Sequence, residues 1–391
     1  MHIGIFIYGL TWGGATRRLL SLARAFRDKG HSVSLIVVDG ASSLDASEIA
    51  GLDIVELNHG LLFKLLLSNA SKKSKMAWSK LALARYLRTA NLDLLISGGN
   101  HAHITALTAN LLAGRKIPLI LRLSSHIGAS LRKKHSLSKK LRFWEVKLLY
   151  PSSDMIIAVS KAVADDLRCW VSIPEERIRV IHNPVYSEDL LRKAEEDVTH
   201  PWLKEQRGEK KIPVLLAAGR LNFQKGFDVL IKAFAIASKK RELRLIILGE
   251  GKKRHVLERL ARDLGVADRI DMPGFVKNPL AYMARAELFC HASKYEGSPG
   301  VLIEALAAGC PVVCTDSQGG AREILDEGKY GILVPVGEED GFAKGILEAL
   351  DKGWNSVELR RRAAQFSVAR AAEQYLHVLN RLLIKSRKSQ K

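Results

Sequence analysis

The sequence predicts an α/β fold of two parallel sheets flanked by helices, and three observations carry that prediction. Short apolar runs alternate with amphipathic segments along the whole chain, the pattern of repeated β-α-β units. The alternation breaks once, between Val185 and Lys211, into charged, Pro-punctuated sequence, and then restarts. The length of 391 residues also exceeds what one hydrophobic core ordinarily serves, so two domains are expected.

In the first half, strands are expected at Ile3–Ile7, Ser32–Val38, Leu94–Ser97, Pro118–Leu123 and Met155–Val159. A helix from about Ala15 to Lys29 stops at Gly30, a residue that ends helices because it adopts positive φ without strain. The second series of strands is expected at Pro213–Ala218, Arg244–Leu248, Arg269–Pro273, Leu288–His291 and Val312–Thr315. Two successive Rossmann-like units follow, assigned to residues 1–185 and 212–365, with a linker over 186–211 that holds a short helix. Residues 366–391 form the last segment, where the periodic stretch Val368–Ile384 is placed to cross back to the first domain and Lys385–Lys391 is expected to fray.

Apolar residues make up 47% of the chain, enough for packed cores. No stretch approaches the roughly 20 apolar residues of a membrane span. The opening run Met1–Ile7 lacks the basic flank of a secretory signal. Cys169, Cys290, Cys310 and Cys314 lack CxxC spacing and are expected as buried hydrophobes in a reducing, cytosolic setting. The net charge of +20 is concentrated: Ser71 to Lys147 holds sixteen Lys or Arg against Asp93 and Glu145. Such a field suits nucleic acid, an anionic membrane surface or a phosphorylated substrate. No aromatic-rich RNA motif or helix-turn-helix pattern supports nucleic acid.

Ligands of open α/β sheets bind beyond the C-terminal ends of the strands, so the loops there carry the chemistry. One loop reads Gly219-Arg220-Leu221-Asn222-Phe223-Gln224-Lys225-Gly226, two cations each beside a glycine, which suits a diphosphate. On its own an Arg-x4-Lys pair also fits an ordinary solvated loop. A second loop reads Glu296-Gly297-Ser298-Pro299-Gly300-Val301-Leu302-Ile303-Glu304. Ser298 and Pro299 fit the cap and first turn of a helix whose free N–H groups favour an anion. Glu296 and Glu304 then offer carboxylates to vicinal hydroxyls, although Glu304 alone also fits an ordinary helix surface.

These pieces, with Leu248-Gly249-Glu250-Gly251, Gly274-Phe275-Val276, Ala308 to Val313 and Gly328 to Pro335, resemble the C-terminal domain of retaining GT-B glycosyltransferases of family four. Gly13-Gly14-Ala15 with Arg17, Gly30-His31-Ser32-Val33, Ala158-Val159-Ser160 and Ile181-His182-Asn183-Pro184 extend the resemblance over nearly the whole chain. It implies two Rossmann-like domains facing each other across a cleft. It also implies that Arg220 and Lys225 hold the donor pyrophosphate, Glu304 the ribose and Glu296 the donor sugar. Phe275 and Val276 would meet the base. Backbone amides around Ser298, Gly300 and Val301, the neighbours of Pro299, would meet sugar and phosphate, with Gly13 and Gly14 closing over the phosphates. No metal or other cofactor is expected, since the cations neutralise the leaving diphosphate.

His126 follows the strand Pro118–Leu123, where related enzymes place a histidine over the donor sugar; a loop histidine bonded to a carbonyl is the alternative. Asn100-His101-Ala102-His103 offers a pair of histidines toward the cleft, poor as a metal motif and better suited to a helix cap or an acceptor contact. The resemblance implies retention of anomeric configuration, and a same-face substitution is expected rather than a covalent intermediate on Glu296. Ser130–Tyr150 is expected as an amphipathic helix, with Leu137, Leu141, Trp144 and Leu148 on one face and Lys133, Lys140 and Lys147 beside it. A second basic helix near Lys72–Arg88 carries Trp78. Together they imply peripheral attachment to the cytoplasmic face of an anionic membrane and a lipid-linked or lipopolysaccharide-type acceptor. A nucleotide-sugar epimerase of the same architecture and a basic nucleic-acid-binding protein are the competing readings.

Overall fold

The computed structural model describes residues 1–10, 13–40, 44, 46–57, 72–99, 102–114, 117–128, 137–204 and 212–389. Side chains are described for the same residues apart from 72, 73, 137–140 and 387–389. The chain forms two compact units, Met1–Pro184 with Val368–Lys391, and Val185–Ser367.

The first unit holds strands β1 (His2–Gly9), β2 (Ser32–Asp39), β3 (Asp53–Glu56), β4 (Leu94–Gly98), β5 (Leu119–Leu123), β6 (Met155–Ala158) and β7 (Ile178–Val180). They form one parallel sheet in the order β3-β2-β1-β4-β5-β6-β7. Strand alternation sends Ile3, Ile5 and Ile7 to one face and Phe6 to the other, so each face has its own core. One face is covered by the helices Gly14–Asp28 and Val368–Ser389, whose Phe26 and Tyr375 rings meet at 6.1 Å. The helices Lys72–Thr89, His103–Leu112 and Leu137–Leu149 contribute Met76, Leu107 and Val146 to the core on the opposite face. The last segment is helical as far as Ser389, so the expected fraying from Lys385 is not seen through that residue.

The second unit holds β8 (Val214–Ala218), β9 (Arg244–Leu248), β10 (Ile270–Gly274), β11 (Leu288–His291), β12 (Val312–Thr315) and β13 (Ile332–Val334). This sheet is also parallel, in the order β10-β9-β8-β11-β12-β13. The stretch read as a linker carries the helices Glu188–Glu195 and Pro201–Lys204. Its Leu190, Val198 and Leu203 are buried in the core of this unit, because the short helices are themselves amphipathic. Residues 205–211 lie outside the described set.

One cysteine departs from expectation. Cys290, Cys310 and Cys314 are buried, but Cys169 is exposed. The helix Lys161–Trp170 turns Val163, Ala164 and Leu167 inward, and helical geometry puts position 169 on the other side.

Candidate active site

In the second sheet the chain leaves β8 toward β9 on one side and reaches β11 on the other, so β8 and β11 are neighbours with oppositely directed connections. That junction is where open α/β sheets leave a crevice for ligands. The two loops singled out from sequence follow these two strands, which is why residues 71 positions apart meet.

The first loop is shaped locally. Asn222 accepts a hydrogen bond from the Lys225 backbone N–H at 3.2 Å and so caps the turn Phe223–Lys225. Gly226 then adopts φ 62°, and a Cβ there would collide with the Ala292 carbonyl oxygen. Gly226→Ala combines left-handed backbone with a clash against fixed main chain, so a loss of at least ~2 kcal/mol is expected. Denaturant melts check it, and a stability equal to wild type would refute this account of the loop.

Lys225 extends to Glu296, with Nζ 2.6 Å from Oε1. The Ser293 hydroxyl donates to the same oxygen at 3.0 Å, and His291 Nε2 lies 3.8 Å away. The Lys225 and Glu296 side chains are only 21% and 14% exposed, so the pair is little screened. Burial pushes the Glu296 carboxyl up, but the Lys225 ammonium, with the Ser293 hydroxyl, outweighs it and holds the group below its ordinary range. His291 is driven the other way: burial, then the Lys225 charge, lower it to about 3, so it is neutral. Thr315 supports the floor, its hydroxyl donating to the Ser293 carbonyl at 2.5 Å. Around the rim, Gln224 Nε2 donates to the Tyr295 carbonyl at 2.9 Å and Lys294 Nζ sits 3.8 Å from the Phe223 ring centre.

Arg220 lies one residue past Gly219 on the same loop; it is exposed and pairs with no carboxylate among the described residues. Glu304 is half-buried in the helix Gly300–Ala308, which starts one residue later than expected. Pro299 is its N-cap, without a side-chain cap bond, so Ser298 is not the cap. Leu302 N–H donates to the Pro299 carbonyl at 3.0 Å, which sets that start, and Val301 packs beside the core. Phe275 follows β10 and is exposed, while Val276 is packed against the core. Ser293, His291, Asn222 and Thr315 were not singled out from sequence. Polar contacts between loops carry no periodic signal.

The first unit holds the other candidates. Gly13 is the N-cap of the helix Gly14–Asp28 in an extended conformation open to any residue, and a Cβ on Gly13 or Gly14 would meet nothing within 4 Å among the described residues. His126 follows β5, is 6% exposed, and faces Asp166 rather than a neighbouring carbonyl. His103 corrects an expectation: it is fully buried and bonded through Nδ1 to Ser97 Oγ at 2.9 Å, because the helix after β4 turns it into the core. Asn100 and His101 lie outside the described residues. Among the described residues no group of three or more His, Cys, Asp or Glu is placed to hold a metal ion.

Comparisons with known proteins agree with this architecture. Residues 12–189 match the Glycosyltransferase Family 4 model and residues 201–367 match Glycosyl transferases group 1. The chain is 31% identical over 383 residues to the N-acetylgalactosamine-N,N'-diacetylbacillosaminyl-diphospho-undecaprenol 4-alpha-N-acetylgalactosaminyltransferase of Campylobacter jejuni, covering 96% of this chain and 99% of that one. It is 26% identical to the GalNAc-alpha-(1->4)-GalNAc-alpha-(1->3)-diNAcBac-PP-undecaprenol alpha-1,4-N-acetyl-D-galactosaminyltransferase of the same organism, covering 97% and 98%. Among solved structures, HepE of Anabaena in complex with UDP and glucose shares the fold with a TM-score of 0.74 at 21% identity, covering 97% and 99%. The chain belongs to the family four glycosyltransferases, the glycosyl transferases group 1, and has their GT-B fold.

Proposed function

We propose that the chain is a retaining transferase that moves a hexose or N-acetylhexosamine from a UDP-sugar to a lipid-linked or lipopolysaccharide-type glycan at the cytoplasmic face of a membrane. The observation that carries this reading is the Lys225–Glu296 contact beside the β8–β11 junction. Lys225 and Arg220 supply positive charge for the diphosphate as it departs, a task a metal ion performs elsewhere. Glu296 and Glu304 take sugar and ribose hydroxyls, and His126 takes a donor-sugar hydroxyl. Exposed Phe275 with Val276 receives the base. The backbone from Ser298 through Pro299 and Gly300 to Val301, like Gly13 and Gly14, meets phosphate and sugar.

Retention proceeds here by same-face substitution, the departing diphosphate helping to deprotonate the acceptor hydroxyl. Glu296 is a poor nucleophile for the alternative, because one of its oxygens already accepts from both Lys225 and Ser293. A covalent glycosyl adduct recovered on Glu296 would refute this.

Both Campylobacter relatives are named for acceptors on diphospho-undecaprenol, which supports the lipid-linked acceptor. A surface layer of the first unit supports membrane attachment: Leu141, Trp144 and Leu148 are each more than half exposed, as are Trp78 and Leu81. No helix among the described residues is long and apolar enough to cross a membrane.

The test is transfer from a panel of nucleotide sugars to an undecaprenyl-diphosphate oligosaccharide, with EDTA present and the product anomer read by NMR. Donor alone serves as the control: its conversion to an epimer would favour the epimerase. Within this assay, Arg220→Ala is expected to lower kcat/KM about 100-fold. Its melting temperature should not move, because the side chain is exposed. Full activity in Arg220→Ala would remove that residue from the diphosphate site.

A further inference from the structure

We propose that Asp166 is a positioning residue for His126, fixing the imidazole so that Nε2 is the atom offered to the donor sugar. This rests on the reading of His126 given above. β5 and β6 are adjacent parallel strands, so the loop after β5 lies next to the helix Lys161–Trp170 that follows β6. Asp166 sits in that helix with its side chain 15% exposed.

One carboxylate holds the described part of this loop. Its Oδ2 accepts the backbone N–H of Ile127 at 2.6 Å and of Gly128 at 3.0 Å. Its Oδ1 accepts the Trp170 indole N–H at 3.3 Å and lies 3.8 Å from His126 Nδ1. Gly128 permits this approach: a Cβ there would stand 2.6 Å from both Asp166 Oδ1 and Trp170 Nε1. Burial pushes the Asp166 carboxyl up, and the His126 ring with the two backbone donors more than reverses it, so the group is an anion.

The ring is held on one side only. Nδ1 faces the carboxylate, whereas Nε2 is buried and has no hydrogen-bond partner among the described residues. A partner on one ring nitrogen decides where the proton resides and which way the ring points. Asp166 therefore draws the proton to Nδ1 and leaves Nε2 for a sugar hydroxyl. A loop histidine kept only for packing needs no such anion behind it.

The experiment combines Asp166→Asn, Asp166→Glu, His126→Gln and the double variant Asp166→Asn/His126→Gln. Two readouts are taken: steady-state kinetics, and the ring 15N signals of protein labelled at histidine, with His126 assigned from its loss in His126→Gln. Asp166→Asn is expected to change the His126 signals from the Nδ1–H pattern and to lower kcat about 10- to 100-fold with little change in KM for the nucleotide sugar. Asp166→Glu should recover part of both. Asp166→Asn should cost less than twofold when added to His126→Gln. Unchanged ring signals in Asp166→Asn, with His126→Gln still impaired, would sink the role of Asp166 alone. Full activity in His126→Gln would instead sink the reading of His126. Should Asp166→Asn not fold, Asp166→Glu carries the test: its longer arm must shift the ring signals and kcat, and wild-type values for both overturn the proposal.

Discussion

Lys225→Met is expected to cut transfer about 100- to 1000-fold, and adding Glu296→Gln is expected to restore stability without restoring activity. The two effects separate because Lys225 has two tasks. Toward the substrate, on the function proposed above, it neutralises the departing diphosphate; toward the protein it neutralises Glu296, with 2.6 Å between the charged atoms. Removing the ammonium strands a carboxylate that is 14% exposed. Loss of one partner from a buried pair costs about 3 kcal/mol, a fall in melting temperature on the order of 10 °C. Burial, the larger of the two causes that lower His291, persists in the variant, so His291 stays below its ordinary range and is a poor substitute for the ammonium. Glutamine removes the stranded charge and keeps the shape, so the double variant should melt near wild type.

The pH dependence gives the sign. In the wild type the Glu296 carboxyl is held below its ordinary range, so its contribution is present above that range and lost as pH falls through the lowered value. In Lys225→Met, burial acts without the ammonium that opposed it, and the carboxyl rises. The deficit of the single variant should therefore grow between about pH 4 and pH 8, and Glu296→Gln should abolish that slope. Thermal melts of the three variants across this range, beside single-turnover transfer, measure both tasks. A double variant no more stable than Lys225→Met would show that the contact does not hold the loops.

The two loops were legible in the sequence as the ones that carry chemistry, whereas the contact between them was not, because it depends on strand order. Apolar runs such as Ile3–Ile7 and Arg244–Leu248 mark strands buried on both faces, and parallel order then places the loops after β8 and β11 side by side. The strands that escaped notice were β3 (Asp53–Glu56), β7 (Ile178–Val180) and β13 (Ile332–Val334). All three are sheet edges of three or four residues, bonded on one side and too short to show a pattern. The polar supports failed to show for a different reason. Ser293, His291 and Asp166 act through contacts with residues on other segments or across a turn, and nothing in their spacing distinguishes them from solvated residues. The helix starts one position later than the cap preferences of Ser298 and Pro299 favour, because Leu302 N–H bonds the Pro299 carbonyl.

Replacing Leu141, Trp144 and Leu148 together with serine is expected to reduce retention on anionic vesicles about 100- to 10,000-fold. The three positions fall at i, i+3 and i+7, so the helix Leu137–Leu149 presents them on one face. Leu137 and Lys140 have side chains outside the described set, and Lys133 lies outside it altogether. Inserting each partly exposed side chain into the interface contributes about 1–2 kcal/mol, and each nearby cation roughly 1 kcal/mol at low salt. Lys147 is such a cation, its Nζ 5.6 Å from the centre of the Trp144 ring. The helix Lys72–Thr89 also carries exposed apolar groups, Trp78 and Leu81, at helical spacing from Arg85 and Arg88. The fold itself does not need these apolar groups, because Val146 and Tyr150 already supply the buried side. The triple variant should therefore melt as the wild type does and keep its turnover on a short, water-soluble acceptor, while losing turnover on acceptor embedded in vesicles. Retention should also weaken as salt rises and fall on vesicles of neutral lipid, since the cations and the apolar groups both contribute to holding the protein. Equal retention of both proteins on anionic vesicles would leave this layer a solvated surface and would require another element to bring the acceptor to the enzyme.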